Sequence, residues 1–224
     1  MKRAIAVVGL LLVTLMQPVS AAQVRAAQSA CCGQITSGGQ ALATRLDNSG
    51  VQSRWLAGHH INWLTGQADD GAEDNGHGAA SHCSAFVAAF ARQVGVYVLH
   101  PPEHSQILLA SAQLSWLAGP QGVQSGWQPV ADMGQAQALA NQGLLVIVGV
   151  PGRTAHKPGH IAIVHPAMLS PDELAAHGPM ITQAGEDNAV LTTTREGFKY
   201  HHGAWPDRLL WFSHKVSSQE SLQR

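Results

Sequence analysis

Two apolar runs late in the chain constrain its fold more than anything else in it. Leu144-Leu145-Val146-Ile147-Val148-Gly149-Val150 predicts a buried strand, and His160-Ile161-Ala162-Ile163-Val164-His165 predicts a second. Residues 151–159 between them read as a turn-rich loop. Further strands are predicted over 180–184, 190–194 and 209–213. The periodicity upstream is helical. A helix over 40–46 is stopped by Asp47-Asn48-Ser49-Gly50, and one over 107–117 turns Ile107, Leu108, Leu114 and Leu117 to the core. Asp132 caps another that runs through Ala140 and stops at Gly143. Ser170-Pro171-Asp172-Glu173 has capping-box spacing and starts one short helix, ended near Gly178. Helices first and strands later indicate an α+β domain, with N-terminal helices packed on a mainly antiparallel sheet.

Residues 1–22 read as a secretory signal. Lys2 and Arg3 precede an apolar stretch, and Ser20-Ala21-Ala22 supplies small residues for cleavage. Residues 23–40 read as a loosely ordered lead-in, and 41–224 as a single domain. The expected product is exported, and no later segment is long enough to span a bilayer. Charged residues make up 12%, against roughly 25% in ordinary soluble domains, and the net charge is −1. That balance provides no basic field for nucleic acid or an anionic membrane. The two histidine pairs, His59-His60 and His201-His202, read as surface groups.

Three cysteines are too few for a disulfide scaffold, and an odd count points to a reactive thiol or an intermolecular bridge. Cys31 and Cys32 are adjacent and could join each other only in a strained geometry. A lipid anchor at Cys31 is rejected, because Gln28-Ser29-Ala30 lacks the expected leucine. Cys83 is the candidate thiol. It opens a helical pattern of Ala85, Phe86, Ala89, Phe90 and Val94 that stops at Gly95, with Ser81 as the expected N-cap. A helix N-terminus carries partial positive charge and favours the thiolate, which is the nucleophile. The competing reading of Cys83 is a small buried apolar residue.

Thiol chemistry needs a base and a third group to orient it. His160 is the best base, at the start of its strand after Pro158-Gly159, where it could pair with the thiolate as an imidazolium. His165, beside Pro166, is weaker. Gln183 on the next strand is the expected third group, with Glu186 and Asn188 in the following turn as alternatives. Residues 67–80 form a polar, glycine-rich loop that leads into Cys83 and should wall the site. Its acidic groups do not match the EF-hand spacing. Asn75, His77 and His82 are the candidates for the oxyanion side of the site. A metal site built from His77, His82, Cys83 and a later histidine matches no common zinc pattern, so neither metal nor cofactor is expected.

Three segments resemble the NlpC/P60 and CHAP group of papain-like cysteine hydrolases. Cys83-Ser84-Ala85-Phe86-Val87 resembles the nucleophile helix start. Gly126-Trp127 with Ala136-Gln137-Ala138-Leu139-Ala140-Asn141-Gln142-Gly143 and the strand after it resembles the run-up to the histidine strand. Gly159-His160-Ile161-Ala162-Ile163-Val164 resembles that strand itself. The chain departs from the pattern at His82, where the group usually has Asp, and at Gln183, where it has His, Asn or Glu. The resemblance implies a papain-like fold and a periplasmic or secreted enzyme. It implies peptidoglycan as partner and cleavage of an amide, in the stem peptide or at the glycan–peptide junction, through an acyl-enzyme. It names no inhibitor or immunity protein. Two alternatives stay open: an exported cysteine peptidase or transferase acting on protein, and a non-catalytic metal- or wall-binding protein.

Overall fold

The computed structural model describes residues 31–69 and 82–216. The expected signal, most of the lead-in, and Ser81, Asn75 and His77 lie outside them. The described chain is α+β. Its helices are α1 Ser37–Asp47, α2 Cys83–Gln93, α3 Leu109–Ala118, α4 Pro120–Gln124, α5 Met133–Asn141, α6 Pro171–His177 and α7 Thr194–Gly197. Its strands are β1 Gln128–Pro129, β2 Leu145–Val150, β3 His160–Val164, β4 Met180–Gln183, β5 Ala189–Thr193 and β6 Leu210–His214. The strands form one sheet in the order β1-β6-β2-β3-β4-β5, and every pairing is antiparallel.

Both faces of this sheet are covered at its centre, which is why β2, and β3 after His160, run apolar instead of alternating. Leu145, Ile147, Ile161, Ile163 and Phe212 face the layer of α2 and α3. Val146, Val148, Val150, Ala162, Val164 and Ile181 face α5 together with Phe198 and Trp211. Helix α2 packs on β3 and β4. Ala85, Ala88, Ala89 and Ala91 are all buried along it, while Phe86 and Phe90 fill the space beside them. Burying a side chain of that size contributes roughly 1.5–3 kcal/mol.

Helix α1 starts at Ser37, capped by the Thr36 hydroxyl, inside the stretch expected to be loosely ordered. Its glycines serve packing: a Cβ on Gly39 would lie 2.1 Å from the Asn141 carbonyl oxygen, so only glycine lets α1 come this close to the end of α5. Helix α3 starts later than the apolar pattern suggests. Leu108 takes a left-handed φ of 52° as its N-cap, and Ile107 is exposed instead of facing the core. Cys31 and Cys32, expected to bridge only under strain, are joined as a vicinal disulfide.

A buried amide pair ties these parts together. The Gln137 side chain donates to the His165 carbonyl at 2.9 Å and accepts from the Met180 N–H at 3.1 Å. Asn141 donates to the carbonyls of Ala167 and Gly33 and accepts from the Ala167 N–H at 2.9 Å. Replacing Asn141 with Ala strands several of these groups in the interior. We expect Asn141→Ala to lower stability by about 2 kcal/mol or more in urea denaturation, whereas Gln142→Ala, on the exposed side, leaves the midpoint unchanged.

Candidate active site

His160 is the first residue of β3 and Gln183 the last of β4, so the antiparallel pairing brings them to one rim of the sheet. The His160 Nε2 lies 2.9 Å from the Gln183 Oε1. The same amide donates through its Nε2 to the Asp187 carbonyl at 2.9 Å. That second bond decides which way the amide faces, since a carbonyl only accepts. Oxygen therefore faces the ring, the ring nitrogen beside it carries the proton, and Nδ1 is left with the lone pair. A Cβ on Gly197 would lie 2.5 Å from the Gln183 Oε1, so glycine gives the amide its room.

The ring sits in an aromatic slot. Phe198 meets it edge-on at 4.7 Å, and His201 stacks on it at 5.2 Å with 12° between planes. Burial pushes the His160 imidazolium down to about 4; the Gln183 hydrogen bond works against this, and the charge of His201 adds to it. His201 is itself lowered by burial, against the opposing influence of Glu186.

Cys83 is the first residue of α2 and is buried. Its N-cap is His82, which makes no side-chain capping bond; the His82 Nε2 lies 2.8 Å from the His59 carbonyl oxygen. Two observations place the mouth of α2 at the rim that holds His160. Cys83 belongs to the apolar cluster of Ile161 and Ala184, the residues directly after His160 and Gln183. Asn188, in the turn after β4, donates to the carbonyls of Val51 and Arg54, and the neighbouring Trp55 packs at 5.3 Å against Phe86, one turn from Cys83. Strand alternation sends the His160 and Gln183 side chains to the face of Ala162 and Ile181, while α2 covers the other face. The mouth of α2 and the His160–Gln183 pair therefore share one rim of the sheet but start from its opposite faces.

The other expected residues have different tasks. Asn188 accepts from the Gly185 N–H at 2.9 Å and holds the turn against 51–55. Glu186 is exposed on that turn. Gln183, not either of these, meets the ring. The His165 Nε2 lies 3.2 Å from the Asp47 carboxylate and links α1 to the sheet. His201, read from the sequence as a surface group, is instead half-buried against His160. The signal for it was available: Thr193 and Glu196 have capping-box spacing, and the Thr193 hydroxyl does cap α7, which delivers Phe198 and His201 to the ring. Among the described residues no group of three metal-ligating side chains comes together. No family model matches the chain, and no curated protein matches it.

Two pH effects follow from the buried ring. In NMR titration the His160 Cε1–H should move with a midpoint near 4. In His201→Ala, which removes a neighbouring charge and opens the slot, the midpoint should rise toward the ordinary 6.5. The unfolded chain binds this proton near 6.5 and the folded chain only near 4, so His160 contributes stability above pH 6.5 that is lost as pH falls through 4. The loss is on the order of 3 kcal/mol. His160→Gln should flatten that part of the stability–pH curve.

Proposed function

We propose that the chain is an exported cysteine hydrolase of the NlpC/P60 and CHAP type that cleaves an amide bond in peptidoglycan. The observation that carries this reading is the oriented imidazole of His160, its Nδ1 lone pair directed by Gln183, at the same sheet rim as the helix mouth of Cys83. The order of nucleophile, base and orienting amide along helix, strand and next strand is that of the papain-like arrangement the sequence resembles. Export rests on the composition of residues 1–22. Among the described residues no helix is long and apolar enough to cross a membrane.

In this mechanism the His160 ring starts neutral, because burial disfavours its charged form. This replaces the resting thiolate–imidazolium pair expected from the sequence. Nδ1 takes the thiol proton as the Cys83 sulfur attacks the amide carbonyl. The backbone N–H groups of the first turn of α2 have no intrahelical acceptor and can stabilise the oxyanion. His160 then gives its proton to the leaving amine, and an acyl-enzyme remains. Water, deprotonated by the same Nδ1, hydrolyses the thioester and restores the thiol. Throughout, Gln183 keeps Nε2–H engaged, so the proton traffic stays on Nδ1.

Mass spectrometry of muropeptides after digestion of peptidoglycan tests the reading. Cys83→Ala and His160→Ala should release nothing. Gln183→Ala should lower turnover about tenfold or more with the fold intact, and Asn188→Ala should lower it less. Full activity in His160→Ala would assign the base elsewhere and sink the mechanism. Cleavage of a protein substrate but not of peptidoglycan would select the alternative of an exported peptidase.

A further inference from the structure

Beyond His201 the structure opens into a cleft of about 600 Å³ that the mechanism above does not use. The loop between β2 and β3 forms one wall, and the segment after α7 forms the other. Arg153, Lys157 and Arg208 line it, with Tyr200, His201 and a single carboxylate, Glu186. Three permanent cations against one anion is a local excess of positive charge in a chain whose net charge is −1. The Arg153 guanidinium donates to the His202 carbonyl, which orients it across the cleft mouth. Neither Lys157 nor Arg208 has an ion-pair partner among the described residues. The cleft is also tied to the reactive rim. It reaches Val150, the register partner of His160, and His201 in its wall stacks on the His160 ring.

We propose that this cleft is a carboxylate subsite: it receives a free carboxylate on the peptide that bears the scissile amide, and so selects acidic over amidated peptides. The inference rests on the hydrolase reading of Cys83 and His160 for the meaning of "scissile", but not for the binding itself. Guanidinium groups hold carboxylates through two parallel N–H bonds, and Lys157 adds a compact charge at the mouth. His201 separates the bound anion from the His160 ring, so the subsite orders substrate without placing a bare charge on the base. The same wall keeps the ring desolvated when the cleft fills.

The binding arm uses Cys83→Ala protein, which cannot turn over, and two probes: N-acetyl-alanyl-glutamic acid and its diamide. NMR titration should show saturable shifts at Gly152, Tyr200 and His202 for the acid, with binding at least about tenfold weaker for the diamide. The exposed pair Lys157→Gln and Arg208→Gln, combined, should cost the acid a similar factor and leave the thermal midpoint unchanged. Equal binding of acid and diamide, or no effect of the double substitution, would overturn the subsite. So would binding of inorganic phosphate with none of the acid. The catalytic arm compares wild type and the double variant on muropeptides with free or carbodiimide-amidated carboxylates. The expected result is a KM raised about tenfold for the free acids only, with kcat unchanged. Acid-selective binding without turnover by wild type would uphold the subsite and refute the hydrolase reading.

Discussion

The amide of Gln183 is the contact on which the rest of the site depends. It stands between two groups of opposite demand, the Asp187 carbonyl, which only accepts, and the His160 ring, which can do either. Because the carbonyl has no choice, the ring is left none. A backbone group in an ordinary turn thereby sets the tautomer of a buried imidazole two bonds away. That turn is held in place by Asn188, whose amide bridges it to the carbonyls of 51–54. The line of dependence runs from a loop near the N-terminus, through Asn188 and the turn, to Gln183 and the ring. Each step is a hydrogen bond with little freedom, and such chains rigidify a site when every member is satisfied.

The sheet gives that line its position. A sheet covered on one side can carry polar residues on the other, but both faces of β2 and β3 are packed, and the one polar side chain of these two strands, His160, sits at a strand end. His160 opens β3 and Gln183 closes β4. Their placement follows from the burial of what lies between: Ile161, Ala162, Ile163 and Val164 are fully buried, and neither face would accept an unpartnered ring. The N-terminus of α2 comes to the same rim because α2 runs the length of the sheet, with Tyr97 beyond its far end bonded to Trp127 near the end of β6. The chemistry proposed for Cys83 and His160 would thus take place at an edge where helix N–H groups, strand ends and turns converge.

Much of this was legible in the sequence, and the exceptions have physical reasons. The central strands read clearly because burial on both faces makes them continuously apolar. The caps at Asp132 and Ser170 read clearly because a side-chain oxygen before a helical pattern has few other uses. Helix α1 was harder, since Gly38-Gly39 looks like loose chain until the crossing with α5 shows why no Cβ fits. Ile107 and Leu108 continue the apolar pattern of α3, yet the chain turns left-handed at Leu108 and leaves Ile107 outside. That Gln183 would meet His160 could be read from their two strands alone. The packing of His201 could not, because its immediate neighbours do not set it apart from the exposed His202; the Thr193–Glu196 capping spacing ahead of α7 was its only sequence signal. Only the close of α7 onto β4 reveals that one ring is packed and the other is not.

The choice of an amide at the third position can be argued from the same geometry. A glutamate there would still accept from the ring, but it would turn a second oxygen toward the Asp187 carbonyl, and that unpaired contact in a buried place costs several kcal/mol. Its charge would also hold the imidazolium up, opposing the burial that now keeps the ring neutral. Asparagine, one methylene shorter, could not span two contacts of 2.9 Å each from the same backbone position. Histidine has one acceptor and one donor and could keep the polarity, but its ring needs more width than the space over Gly197, where a Cβ would already lie 2.5 Å from the amide oxygen. Glutamine meets each of these constraints in a slot bounded by Gly197. With Cys83 as the proposed nucleophile, a neutral orienting group also suits a thiol better than it would a hydroxyl. The thiol gives up its proton far more readily, so the base needs direction more than it needs added basicity.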